Sequence, residues 1–435
     1  MKKVILISVL VMSFLFSRQV LIDTNDALSI KVSNNITNID NQNIDQNSVR
    51  SSREEIVIFE WDFETDLWNN DEGWLWTDTD YHSETHSYLS PNTEDTYNNS
   101  WNVISNTVTL PELGEGEIMR FKFWINGDTP DTDGDGDNYL EDYYQLSIMN
   151  LAALAWHASE NAPDSDGASY WCADEEIGSS GGYLDEWMQY LDTPPISLQG
   201  ISVLECDIKF EIEDEAGGAV AGSCTDGWDA ANVRISADGG ATWDLLEDAN
   251  NPYDFECGYG WIYNDGEYEE GGSLNHVAPG WGGSSGGWFP FSADLSAYLN
   301  QEVIIRFAFG SDPAYNTQDQ DDMTGFQVDN IAIHSDASWW YDDDADDSYD
   351  NNMMIPSGEV WEGQFYDYLS CDDERPGACG AWERYTPGSA FNGNVYQDIS
   401  HLAGKDVLIK FSSRYDDNDD GGAGEGIFVD DFRIY

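Results

Sequence analysis

Asp294-Leu-Ser-Ala-Tyr-Leu-Asn-Gln-Glu-Val-Ile-Ile-Arg-Phe307 and Asp398-Ile-Ser-His-Leu-Ala-Gly-Lys-Asp-Val-Leu-Ile-Lys-Phe411 are two copies of one stretch, with the same spacing from Asp to Phe. Each is followed by an acidic loop and a second shared run. That run is Gly325-Phe-Gln-Val-Asp329-Asn-Ile-Ala-Ile333 in the first copy and Gly426-Ile-Phe-Val-Asp430-Asp-Phe-Arg-Ile434 in the second. Apolar and polar residues alternate along both runs, so each copy predicts two half-buried strands joined by an acidic loop. A repeat of this kind governs the fold, because each unit is one supersecondary block used twice.

Upstream of each copy lies a different kind of block. Met119-Arg-Phe-Lys-Phe-Trp-Ile125 alternates as a sandwich strand should, and Leu204-Glu-Cys-Asp-Ile-Lys-Phe-Glu-Ile212 matches it. Asp142–Ser147 and Asp229–Ser236 match in the same way, and so do Val108–Leu110 and Pro195–Leu198. Residues 56–150 therefore hold a first half without a second, 153–337 hold both halves, and 338–435 hold a second half without a first. The expected fold class is all-β: two antiparallel jelly-roll β-sandwiches, one (153–337) inserted into a loop of the other (56–150 plus 338–435). Insertion is tolerated where the inserted unit's termini lie close together at the surface. The rival arrangement is a row of three modules, two of them incomplete. Helical periodicity is nearly absent, and Leu151–Trp156 is long enough for a single turn only.

Composition sets the compartment and the class of partner. Met1-Lys-Lys3 followed by an apolar run to Phe16 has the form of a secretory signal peptide, 1–17. Residues 18–55 are rich in Asn, Asp, Ser and Gln and are expected to be a flexible leader. The expected location is extracellular, secreted or on a bacterial cell surface, with no membrane insertion. Lys and Arg number 17 against 84 Asp and Glu, a formal charge of −67, so nucleic acid and anionic membranes would repel the chain. Such self-repulsion calls for salt or bound cations. Aromatic residues at 14% argue against an acidic disordered chain. The six cysteines suit an oxidising compartment. Cys371 and Cys379 can staple one loop. Of the three pairings open to the other four, Cys224–Cys257 is preferred because both flank one strand pair, which leaves Cys172–Cys206.

The ordered series Ser236-Ala-Asp-Gly-Gly-Ala-Thr-Trp243, Asp294-Leu-Ser296, Ile304–Phe307 and Phe326-Gln-Val-Asp-Asn-Ile331 resembles the MAM-like jelly-roll domains of secreted bacterial proteins, including those attached to peptidases like immune inhibitor A. The resemblance covers most of 153–337 and, in two pieces, the outer segments, which lack the Asp-Gly-Gly turn. It implies a jelly roll, often calcium-bound, that serves adhesion, binding or attachment to an enzyme. It also implies an ion where the first and last strands meet, at Asp229 and Asp329 in the insert and at Asp142 and Asp430 with Glu64 in the outer unit. The alternative for Asp329 and Asp430 is that they cap turns by accepting backbone amides.

Independently of that resemblance, Asp131, Asp133, Asp135, Asp137 and Asp142 stand at calcium-loop spacing with Gly136 at position six. The alternative is a solvated acidic loop. The pair His82 and His86 reads as a loop without metal, and no His-Glu-x-x-His motif occurs. No catalytic residue is nominated, because with 84 acidic residues some carboxylate pair can always be found. Trp281 and Trp288 in a Gly/Ser-rich loop, and Trp339 and Trp340 before an acidic run, are candidate sugar-stacking residues, with structural packing as the alternative. The expectation is a calcium-stabilised binding or adhesion protein whose partner is a glycan or a cell-surface or extracellular protein. The second expectation is a non-catalytic accessory region of a secreted peptidase or other hydrolase, and a weaker third is an autonomous glycosidase.

Overall fold

Each copy of the repeat forms two long strands that enter different sheets, and the sheets are built around these. The computed structural model describes residues 56–68, 73–91, 99–128, 143–153, 156–164, 167–214, 227–256, 258, 260, 268–269, 273–274, 279–312, 315–335, 337–345, 354–367, 381–384, 398–415 and 426–435. The predicted signal peptide and leader, Asp131, Asp133, Asp135, Asp137, Asp142, Cys224, Cys257, Cys371 and Cys379 lie outside the described residues.

In chain order the strands of the first part are β1 (Phe59–Trp61), β2 (Leu75–Thr77), β3 (Ser87–Leu89), β4 (Asn99–Ile104), β5 (Val108–Thr109), β6 (Phe121–Asp128) and β7 (Tyr143–Asn150). Next come β8 (His157–Ser159), β9 (Ser169–Trp171), β10 (Trp187–Asp192), β11 (Ile196–Ser197), β12 (Val203–Glu211), β13 (Ala230–Ser236), β14 (Asp244–Leu245), β15 (Tyr268–Glu269), β16 (Ser273–Leu274), β17 (Phe289–Asp294), β18 (Glu302–Gly310) and β19 (Gly325–His334). The last are β20 (Trp339–Asp343), β21 (Ile355–Asp367), β22 (Glu383–Arg384), β23 (Asp406–Tyr415) and β24 (Gly426–Ile434). The protein is all-β, and every sheet pairing between these strands is antiparallel.

Among the described residues the strands form three large sheets. One runs β2-β3-β24-β6-β22, with β1 also on β24. A second runs β17-β12-β19-β9-β8, with β20 also on β19. The third, β14-β13-β18-β10-β21-β7-β23-β4, is continuous across the other two. Its seam is β21, a strand of 13 residues. The first part of β21 pairs with β10, from Ile355↔Asp192 to Val360↔Trp187, and the second pairs with β7, from Trp361↔Met149 to Asp367↔Tyr144. Gly358 lets the backbones close at that seam: its φ is +119°, and a Cβ there would stand 2.1 Å from the Met188 carbonyl oxygen.

Strand alternation sends every second side chain inward, and the buried residues collect into two main clusters. One draws on Trp156 to Met354, including Trp187, Leu204, Phe307, Phe326 and Tyr341. The other draws on Trp61 to Ile148 and Ile399 to Ile434, including Phe121, Phe123, Leu146, Phe411 and Phe432. Burying each such large apolar side chain contributes about 1.5–3 kcal/mol. Tyr341, Ala345 and Met354 belong to the first cluster although they lie beyond residue 337, because β20 adds to the edge of β19.

The repeat carries its local devices in both copies. Asp294 accepts the Ser296 amide at 2.8 Å and opens the 3-10 turn Ser296–Tyr298, and Asp398 accepts the Ser400 amide at 3.0 Å before Ser400–Leu402. The Asp-Gly-Gly stretch closes the β13–β14 hairpin as its composition predicts. Asp238 accepts the amides of Ala241 and Thr242 there, and Gly239 and Gly240 take φ of +80° and +94°.

Cys172 and Cys206 are both buried free thiols, which corrects the pairing predicted for them. They belong to strands on opposite sides of β19. Cys172 donates its amide to Phe326, whereas Cys206 faces the stretch between Asp329 and Ala332. Next-but-one strands are about 9.5 Å apart, beyond the roughly 7 Å that a disulfide spans between Cα atoms.

Candidate functional site

Four strand ends meet at one end of the 156–354 core. β12 ends at Glu211, two residues before Glu213, β13 begins after Asp229, β18 ends before Asp312, and the segment Tyr183–Glu186 leads into β10. Carboxylate oxygens of Glu213, Asp229 and Asp312 lie within 4.8 Å of one another. Asp229 is 0% exposed and Asp312 is buried. Asp229 accepts the Tyr183 hydroxyl, the Asp312 amide at 2.9 Å and the Glu213 amide at 3.4 Å. Buried Asp185 lies beside them and accepts Asn316 Nδ2 at 2.7 Å.

Burial acts on all of these carboxylates, and on Glu213 and Asp185 neighbouring carboxylates add to it. Burial, then Asp312, Asp229, Asp185 and Asp214, pushes Glu213 far up from its ordinary value. Burial pushes Asp185 well up, with Glu186, Asp229 and Asp319 adding to it and Asn316 opposing. Asp229 is also raised by burial, against the hydrogen bonds from Tyr183 and the two amides. Two unit charges about 4 Å apart repel by roughly 4 kcal/mol at an effective dielectric of 20, so three ionised groups need a counter-charge. Either protons or a cation supplies it. Glu213 Oε2 is buried with no hydrogen-bond partner among the described residues, which leaves a lone pair for a ligand. Hard carboxylate oxygens in a flexible, irregular set fit calcium better than an ion demanding strict octahedral geometry. Glu213, Asp229 and Asp312 would hold it.

Asp329 is not in that group. Its carboxylate accepts the amides of Asp164 at 3.2 Å and Asn330 at 2.7 Å, as the turn-capping alternative requires. Asp430 does the same in the other copy, accepting the amides of His82 at 2.8 Å, Ser83 at 2.7 Å and Asp431 at 2.7 Å. Glu64 is brought beside it: the Ser83 hydroxyl donates to both carboxylates, at 3.1 Å to Glu64 and 2.9 Å to Asp430. Burial raises Asp430 to about 6 in spite of its donors. Burial opposes, but hydrogen bonds from Thr85, His86 and Ser83 hold Glu64 down at about 2.

His82 and His86 lie in the loop between β2 and β3. His82 stacks on Trp124 with centroids 3.8 Å apart, and His86 stacks on Trp76 at 3.8 Å. His82 Nδ1 also meets Asp431 at 2.6 Å.

The predicted sugar-stacking tryptophans separate. Trp281 is 2% exposed, packed among Phe210, Tyr253, Phe289 and Phe291, so it is a core residue and not a ligand platform. This is the packing reading of Trp281, and the glycines around it serve close packing: a Cβ at Gly282 would stand 2.8 Å from Phe255. Trp340 packs on the same core and donates to Ser202 Oγ at 2.8 Å. Trp288 is half-buried and donates to the Ala162 carbonyl at 3.1 Å. Trp339 alone of the four is exposed, at 63%, stacked on His334.

An open cleft of about 600 Å³ is lined by Ser180, Lys209, Glu211, Asp321, Asp322 and Thr324. Ser180, Ser284 and Ser285 each occupy the centre of a Gly-x-Ser-x-Gly string, but none stands on the strand-to-helix turn that makes such a serine a nucleophile. Sequence reasoning missed Glu213 and Asp312. Their one signal is position, immediately past the end of an alternating strand, and it is drowned among 84 acidic residues. Compared with known proteins, the chain matches no family model and no curated protein.

Proposed function

We propose that this is a secreted or cell-surface binding or adhesion protein whose β-sandwiches are stabilised by calcium. The observation that carries the reading is the set of buried, mutually repelling carboxylates at Glu213, Asp229 and Asp312, with Asp185 beside them. A fold does not keep such a set for stability alone, because an apolar replacement costs less. A cation at that point would tie β12, which belongs to one sheet, to the ends of β13 and β18, which belong to the other. Two further features agree with an extracellular binding role: the signal-peptide-like start and the charge of −67, which divalent cations would offset. The arrangement proposed for the chain is one sandwich nested in the other. It is supported by a core drawn from 61–148 and 399–434 around a core drawn from 156–354.

The test is binding of the purified mature chain to a panel of glycans and polysaccharides, in calcium and again in chelator, with thermal unfolding followed in parallel. Calcium should raise the unfolding temperature and support ligand binding without breakdown of the ligand. An unfolding temperature indifferent to calcium and chelator would overturn the calcium reading. Breakdown of a panel member would favour a hydrolase instead.

A further inference from the structure

We propose that the outer face of the sheet containing β6 and β24 binds a neutral sugar ring, at Trp124, Trp382, His82, Asp80 and Asn126. This gives the binding role proposed above its ligand class and its place, and rests on that role. The argument comes from the internal repeat. Strand registers put the two sandwiches into residue-by-residue correspondence. Trp124 pairs with Asp430 as Asp207 pairs with Asp329, and Asn126 pairs with Phe428 as Lys209 pairs with Gln327. Trp382 precedes the residue paired with Ile125, and Trp288 precedes the residue paired with Ile208. The loop amide on Asp430 comes from His82 and that on Asp329 from Asp164.

At these positions the copy around β12 carries Asp207, Lys209, Gln327 and Asp164, polar side chains bonded within this face. Lys209 Nζ donates to Gln327 Oε1 at 3.1 Å, and Asn330 Nδ2 donates to Asp207 at 2.9 Å. The copy around β6 carries Trp124, Asn126, Phe428 and His82. The same backbone thus forms with polar residues at four of these five positions, so the fold does not require Trp124, Phe428 or His82, whereas Trp382 has Trp288 as its counterpart. What the aromatic residues add is a surface of ring faces.

The surface is built, not incidental. The His82 ring lies flat against Trp124, the Trp382 ring stands 6.0 Å from His82 at 57°, and Phe428 stands 6.3 Å from Trp382. Asp80 fixes the arrangement by accepting Trp382 Nε1 at 3.0 Å and Asn126 Nδ2 at 2.9 Å. Asn126 is 5% exposed, and its Oδ1 has no hydrogen-bond partner among the described residues. An orphaned buried acceptor is costly, and a hydroxyl donor would recover that cost. Ring faces against C–H faces, with a carboxylate and an amide for the hydroxyls, are the complement of a pyranose. A chain of charge −67 disfavours acidic polysaccharides, which makes the ligand a neutral one.

The experiment titrates the full mature chain, in calcium, with soluble oligosaccharides of neutral hexoses and pentoses, read by calorimetry and tryptophan fluorescence. Trp124→Ala and Trp382→Ala should each lose at least tenfold in affinity. Trp288→Ala, the counterpart of Trp382 in the other copy, should bind as the parent does. All three should keep the calcium-dependent rise in unfolding temperature. Should Trp124→Ala fail to fold, Trp124→Asp installs the residue of the equivalent position and should fold without binding. Equal loss in Trp288→Ala and Trp382→Ala, or parental affinity in Trp124→Ala and Trp382→Ala, overturns the placement while leaving the binding role standing. A parent that binds no neutral sugar yet responds to calcium overturns the proposal and leaves the cation site intact.

Discussion

Asp329 and Asp430 occupy the same bend in the two copies, and the comparison separates what the fold needs from what it does not. Each is followed by a residue in the left-handed region, Asn330 at φ +52° and Asp431 at φ +49°. Each sits at a break in register against the neighbouring strand, and each accepts amides from a loop that the sequence supplies far upstream. These devices shape the backbone, and they are the residues the two copies share. The copies part company on the outer faces, where Asp207, Lys209 and Gln327 stand against Trp124, Asn126 and Phe428.

The largest expected effect breaks the comparison at the cation site. Calcium at 100 to 1,000 times its dissociation constant would stabilise the fold by about 3–4 kcal/mol. Chelation should therefore lower the unfolding temperature by roughly 5–15 °C, given a slope of about 2–4 °C per kcal/mol for a domain of this size. Asp229→Ala should abolish that difference, as read by differential scanning calorimetry with and without chelator. A smaller loss, about 2–3 kcal/mol, is expected for Asp430→Ala, which strips an acceptor from the amides of His82, Ser83 and Asp431. Asp329→Ala should behave in kind, and a denaturant titration that finds either change neutral would end the idea of a shared structural role.

Gly358→Ala tests the seam. Strain at positive φ and the approach to Met188 should cost about 1–3 kcal/mol in chemical denaturation, without altering the calcium response.

Acidity gives a subtler reading. Carboxyl groups whose folded values are raised, as for Asp229 and for Asp430 at about 6, favour the folded state below the ordinary carboxylate range. That contribution is lost as pH rises through the folded values. In chelator, stability should therefore fall between about pH 4 and the folded value of each group, and calcium should flatten the trend. The smallest effect is expected for Trp339→Ala, within about 0.5 kcal/mol of parental stability, because the residue is exposed.

The repeat was legible in the sequence because alternation in β18, β19, β23 and β24 follows the period of a strand, and that period depends only on local geometry. The Asp-Gly-Gly hairpin was legible for the same reason. The cation cluster was not, since Glu213, Asp229 and Asp312 are joined by tertiary packing and no spacing encodes that. Only Asp229 was reached, through the resemblance. Sugar stacking and packing both stood open for Trp281, because a Gly/Ser-rich stretch suits an exposed loop and a close-packed one equally well, and packing is what the structure has. The outer-face tryptophans Trp124 and Trp382 passed unnoticed until strand register showed what stands opposite them.

The grip of Asp430 on the loop at His82 joins residues 348 apart in the chain, and the pairing of β1 with β24 joins segments farther apart still. Closing so long a loop is slow, and its entropic cost precedes any reward. The segment around β10, β13, β18 and β19 is contiguous and can condense first. It thereby draws β7 and β23 toward each other through the strand β21, which pairs with both β10 and β7. Until then β6 and β24 wait with open edges. Refolding should accordingly show two kinetic phases, the slower reported by Trp124 and Trp382 and the faster by Trp187 and Trp281.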